Sequence, residues 1–230
     1  MRIYEAVPEG TARGGVIVIQ EAFGVNEHIE DVTRRFAAAG YHAVSPALYH
    51  RQGDPTFEYG QFDKLIEVMG ALSDDTILED LDGARERLHE RGFADPNIGA
   101  VGFCMGGRAS FLLAVNRAIG AAVGFYGGGI VTARAPQFPA LVGRVSEMKT
   151  PWLGLFGDDD GSIPVDDVET LRGELSAHAP VDTEIVRYAG AKHGFHCDLR
   201  PDYNEAAAKD GWARTLTWFE AHLAPVAANA

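Results

Sequence analysis

Apolar residues along the chain fall into two alternating patterns. Residues 15–20, 41–45, 98–103, 121–126, 152–156 and 183–188 are short runs rich in β-branched, leucine and aromatic side chains, which reads as a set of buried strands. Between them apolar positions recur every three or four residues. Ile29, Val32 and Phe36 do so ahead of Gly40, Ile77, Leu78, Leu81, Ala84 and Leu88 ahead of Gly92, and Trp212, Leu216, Phe219 and Leu223 near the end. That spacing predicts helices with one buried face. Residues 108–115 are also compatible with a helix. Strand and helix alternate throughout, which predicts an α/β fold: a mostly parallel, doubly wound sheet with helices on both faces.

No internal repeat, low-complexity linker or shift in composition divides the chain. Residues 1–230 are therefore expected to form one domain, with a frayed tail at 225–230. The irregular stretches 46–73 and 127–150 can hold pocket loops or a short helix but are too short for a separate cap domain. Hydrophobic residues make up 46% of the chain, so a core can form without disulfides or a structural metal.

Charge narrows the partners. With Asp+Glu 33 against Lys+Arg 20 the net charge is −13, a surface that repels polyanions over about 8 Å in physiological salt. Neither nucleic acid nor an acidic membrane is an expected partner. No apolar stretch approaches the roughly 20 residues that span a bilayer, and the start of the chain carries no signal-like apolar run. The two cysteines, Cys104 and Cys197, show no CxxC or paired Cys/His spacing, so no zinc site or disulfide framework is indicated. A reducing, cytoplasmic compartment is expected.

The segment Gly102-Phe103-Cys104-Met105-Gly106 joins a predicted strand to a predicted helix. It matches the nucleophile elbow, usually GxSxG, in which a sharp turn lifts the nucleophile above the sheet; here sulfur replaces oxygen. The bland alternative is a small buried cysteine in a glycine-rich turn. An elbow nucleophile needs a base and an orienting acid, placed downstream as acid and then histidine. The strand at 152–156 runs into Asp158, Asp159 and Asp160, which compete for the acid. The strand at 183–188 runs into a loop bearing His193, with His196 as its rival for the base. Upstream, the strand at 15–20 ends in Glu21, either a carboxylate bracing the loop or one used in chemistry. Ala22 and Met105 are positioned to supply backbone N–H groups to an oxyanion hole.

These pieces, Gln20-Glu21-Ala22-Phe23-Gly24-Val25-Asn26, Ser45-Pro46-Ala47-Leu48-Tyr49, Gly102-Phe103-Cys104-Met105-Gly106-Gly107, Phe125-Tyr126-Gly127, Asp160-Gly161-Ser162-Ile163-Pro164 and His193-Gly194-Phe195, together resemble the dienelactone hydrolase (carboxymethylenebutenolidase) family of α/β-hydrolases. The resemblance covers nearly the whole chain. It implies a cofactor-free, metal-free hydrolase of small esters or lactones that works through an acyl-enzyme on Cys104, with Asp160 as the acid and His193 as the base. It further implies that Glu21 pairs with the resting thiol and swings away as substrate binds. Phe23, Tyr126 and Phe195 would line the substrate.

Family members that act on dienelactone hold its carboxylate with arginines, one just after the catalytic histidine and one after the Pro-x-Leu-Tyr turn. Residues 193–197 carry none, and residues 54–72 offer only Lys64; Arg51, Lys192 and Arg200 are possible substitutes that no motif aims. Small neutral esters or lactones are accordingly the expected substrates. A second reading is a hydrolase-fold sensor or binding protein in which Cys104 responds to a ligand with little turnover. A monomer or small homo-oligomer fits either.

Overall fold

The computed structural model describes residues 1–226. Seven strands form one sheet: β1 (Ile3–Ala6), β2 (Gly15–Ile19), β3 (His42–Pro46), β4 (Ile98–Phe103), β5 (Ala121–Phe125), β6 (Trp152–Gly157) and β7 (Thr183–Tyr188), in the order β1-β3-β2-β4-β5-β6-β7. All neighbouring pairs are parallel except β1 with β3. Every residue of β2, β3, β4, β5 and β6 is buried. That explains their continuous apolar runs, because a parallel sheet is covered on both faces.

Helices α1 (Glu27–Ala38) and α6 (Glu205–His222) pack against β1, β2, β3, β5 and β6, while α3 (Asp74–Glu90) and α4 (Met105–Asn116) pack on each other and on β2 to β5, and α5 (Val165–His178) packs on β7. Local chemistry fixes their starts. The Asn26 side chain accepts from the Ile29 N–H at 3.2 Å to begin α1, and Ser73 and Thr76 form a reciprocal capping box at α3. Helix α4 is buried along almost its whole length, so its sequence lacks the one-sided stripe of α1.

Strand β1 and helix α5 were not anticipated, whereas α2 (Phe62–Gly70) is the short helix that the stretch 46–73 could hold. Strand β1 is four half-buried residues, too short and polar for a strand signal. It holds the sheet edge through Glu5, which binds Arg87, Arg91 and His42. Burial pushes the Glu5 carboxyl up, but those three partners outweigh it and lower it to about 2. Helix α5 buries only Val168, Leu171 and Leu175. The expected tail falls mostly on residues 227–230, outside the described residues. Pro225 and Val226 are held, since Asn97 Nδ2 donates to the carbonyls of Ala224 (3.0 Å) and Pro225 (3.2 Å) and Val226 packs on the core.

Candidate active site

Strand order places the site. The chain runs outward from β2 to β3 and then returns to β4 on the other side of β2, so the sheet reverses direction between β2 and β4. A crevice opens outside the carboxyl ends of strands at such a switch point. Ile19 of β2 pairs with Gly102 of β4, which brings the Glu21-Ala22 corner beside Cys104. Two strands further on, Gly157 of β6 pairs with Tyr188 of β7, and the Asp159 N–H donates to the Ala191 carbonyl at 2.9 Å. The acid and histidine loops thereby run side by side.

Cys104 sits between β4 and α4 with φ 55° and ψ −114°, a left-handed conformation costing about 1–3 kcal/mol that surrounding structure must impose. Gly106 shows how. A Cβ there would collide with the carbonyls of Ile19 and Gln20, so only glycine lets the first turn of α4 lie against the end of β2. The strained turn and the close helix together raise the sulfur into the crevice.

Cys104 Sγ lies 3.1 Å from His193 Nε2, and His193 Nδ1 lies 2.7 Å from Asp160 Oδ2. The other Asp160 oxygen accepts from the Ser162 N–H (2.8 Å) and hydroxyl (2.7 Å), and Ser162 Oγ is also 3.1 Å from His193 Nδ1. Asp160 is buried. Burial would push its carboxyl up, but the hydrogen bonds from His193 and Ser162 prevail and hold it below the ordinary value. For His193, burial opposes the imidazolium, while the charge on Cys104 and the bond to Asp160 outweigh it and raise the ring to about 10. The arrangement favours the protonated form of His193.

Each rival is elsewhere. Asp158 pairs with Arg187 at 2.7 Å. His196 is buried against Phe103 and Phe125, ring centroids 5.0 and 4.9 Å away, and burial lowers it to about 3. Cys197 is a buried free thiol pushed up to about 11 by burial. Ala22 and Met105 both border the cavity over Cys104. Neither backbone N–H has an acceptor among the described residues, and Met105 opens α4, where N–H groups are left free to bind negative charge.

That cavity, about 380 Å³, has apolar walls from Met69, Ile77 and Phe138. Several expectations change here. Phe23, Tyr126 and Phe195 do not line it. They are buried supports: Phe23 packs edge-on against Tyr59 at 4.7 Å, and Tyr126 packs against both His193 and Phe195 at 5.2 Å. Glu21 is not paired with the thiol, whose partner is His193. It accepts from Tyr59 at 3.2 Å and faces Arg200 at 3.6 Å.

Arg200, one of the three substitutes that no motif aimed, reaches the cavity wall, as does Arg134. Successive turns, Cys197 N–H to the Gly194 carbonyl and Arg200 N–H to the Cys197 carbonyl, fold the loop back. Gly194 has φ 79°, and a Cβ on it would strike the Arg200 guanidinium. Arg51 is bound to Asp80 and Glu79, and Lys192 lies 3.7 Å from Asp202. Ser162, Arg134, Met69, Ile77 and Phe138 were missed; only Ser162, two residues after the acid, carried a local signal.

A strained turn between strand and helix, followed by an acid and a histidine on later strand ends, is the layout of an α/β-hydrolase, and here it lines up Cys104, His193 and Asp160. The model of the dienelactone hydrolase family matches residues 1–223. A Salmonella typhimurium protein named "Putative carboxymethylenebutenolidase" is 41% identical over 225 residues, 95% of this chain and 82% of its own. A Synechocystis protein of the same name is 39% identical over 213 residues, 90% and 86% of the two chains. The crystal structure titled "Putative Dienelactone Hydrolase" from Klebsiella pneumoniae superposes with a TM-score of 0.87 at 41% identity, over 95% of this chain and 92% of that one. The chain belongs to the dienelactone hydrolase family, and it is a hydrolase acting on carboxylic ester or lactone bonds.

Proposed function

We propose that Cys104 attacks the carbonyl of a small ester or lactone and carries the acyl group as a thioester. The observation that supports this most is the continuous line from Sγ through His193 to Asp160, 3.1 Å and then 2.7 Å. The thiolate adds to the carbonyl carbon, and the negative oxygen is received by the N–H groups of Ala22 and Met105. His193 then gives its Nε2 proton to the departing alkoxide as the C–O bond breaks. In the second half His193 takes a proton from water, the resulting hydroxide adds to the thioester, and the acid leaves as the thiolate re-forms. Asp160 holds the ring proton on Nδ1 throughout.

One oxyanion donor is worth about 2.7–4 kcal/mol. A free thiol near pKa 8.5 is already a few per cent ionised at neutral pH, so complete ionisation adds about 2 kcal/mol. Ala22 and Met105 therefore matter at least as much as activation of the sulfur. The cavity supports a substrate with an apolar body and a carboxylate within reach of Arg200, rather than the neutral molecule expected from sequence. The two free thiols fit a reducing, cytoplasmic setting. Among the described residues no helix is long and apolar enough to cross a membrane.

Steady-state turnover of a small activated ester tests the mechanism. Wild type turns over repeatedly and Cys104→Ala, folded by circular dichroism, does not. Most of the activity surviving in that variant would rule out sulfur as the nucleophile, and single-turnover behaviour in the wild type would favour the sensor reading.

A further inference from the structure

A second group of chemistry-bearing side chains lies next to the triad, on residues the mechanism above does not use. Donor atoms of Glu21, His28 and Cys197 all lie within 4.8 Å of one another, and all three residues are buried. Glu21 Oε1 and both ring nitrogens of His28 have no hydrogen-bond partner among the described residues. Leaving a buried polar atom unpaired costs about 1–3 kcal/mol, and here such atoms from the end of β2 and the first turn of α1 meet the Cys197 thiol of the loop after β7. Arg200, 3.6 Å from Glu21 Oε1, is too distant to satisfy it by a hydrogen bond.

A carboxylate, an imidazole and a thiolate are the ligand types of a borderline divalent cation such as Zn²⁺; Ca²⁺ and Mg²⁺ require oxygen donors. With bonds of about 2.0–2.3 Å, tetrahedral donors stand roughly 3.3–3.8 Å apart, so closing this set requires shifts of about 1 Å. The Tyr59 hydroxyl bonds both Glu21 Oε2 (3.2 Å) and Cys197 Sγ (3.1 Å), which ties two of the donors together. His28 and Tyr59 also border a polar cavity of about 500 Å³ whose walls include Glu27, Glu30 and Glu58. Those carboxylates give an approaching cation a favourable path. Arg2, in the same wall, is held by Asp54 and Glu30.

We propose that Glu21, His28 and Cys197 form a binding site for one Zn²⁺-type cation, separate from the triad. On binding, the Cys197 S–H bond breaks, its proton leaves to solvent and sulfur bonds the metal; no electron is transferred. This site is independent of the ester or lactone reading.

Co²⁺ is the first probe, added to the full chain as wild type and as Cys104→Ala. The chain has only two cysteines, so a sulfur-to-cobalt charge-transfer band in Cys104→Ala must come from Cys197. The expected result is a band in both proteins that saturates at one Co²⁺ per chain and disappears on adding Zn²⁺. In competition with a chromophoric chelator, Zn²⁺ should bind at least tenfold more weakly to His28→Gln, and Cys197→Ser should lose the cobalt band. Absence of the band from Cys104→Ala, which leaves the cluster intact, would overturn the proposal. So would undiminished Zn²⁺ affinity in folded His28→Gln.

Discussion

His193 and His196 stand three residues apart on one loop and have opposite chemistries. His193 is about a quarter exposed and meets a carboxylate on one nitrogen and sulfur on the other, and its proton is held up to about 10. His196 turns into the aromatic core, where burial and the neighbouring His28 lower it to about 3. The chain is the same, and the surroundings decide which ring holds a proton. A loop crossing from crevice to core within three residues therefore supplies both a reactive group and the apolar packing that holds it in place.

Exchanging the rings separately tests that contrast most severely. His193→Gln is expected to lower kcat/KM by about 10³-fold or more, whereas His196→Phe should stay within about threefold, because Phe fits among Phe103 and Phe125. Equal losses in two folded variants would erase the distinction. On the acid side, Asp160→Asn should cost roughly 10³–10⁴-fold by releasing the Nδ1 proton. Asp158→Asn loses only a partly exposed pair with Arg187 and should remain near wild type. Sensitivity at position 158 in steady-state assays would assign the acid differently.

A smaller effect is expected at the cavity wall. Arg200→Gln should lower kcat/KM for a carboxylate-bearing lactone about 10- to 100-fold while changing that for its methyl ester little, since a charge-assisted hydrogen bond contributes about 1.5–3 kcal/mol. Equal loss on both substrates would mean that Arg200 supports the loop rather than the ligand.

The mildest test is the pH dependence of stability. Lowering His196 from 6.5 to about 3 means the unfolded chain binds a proton first as pH falls. Its contribution is complete above 6.5 and declines between 6.5 and 3. Raising His193 from 6.5 to about 10 has the opposite sign: its contribution is complete below 6.5 and declines as pH rises toward 10. Urea midpoints measured across pH should show His196→Phe flattening the acid limb alone and His193→Gln the alkaline limb alone.

The buried strands and the order of elbow, acid and histidine were legible because each rests on local sequence: continuous apolar runs, flanking glycines and strand-end loops. Strand β1 was not, since four half-buried residues at a sheet edge leave no pattern. Arg200 was one of three substitutes that no motif aimed, because only the consecutive turns from Gly194 return it to the cavity. Phe23, Tyr126 and Phe195 adjoin proposed site residues in sequence but pack beneath the cavity, a distinction set by tertiary packing. The partners of Glu21 come from distant segments, and no local spacing joins Tyr59 and Cys197 to it.

Intact-mass analysis of wild-type enzyme, acid-quenched while turning over an activated ester, tests the central claim most directly. The expected result is one added acyl group per chain, mapped by peptide analysis to Cys104 and released by hydroxylamine as a thioester is. An acyl group on another residue, or its persistence in Cys104→Ala at the wild-type level, would contradict it.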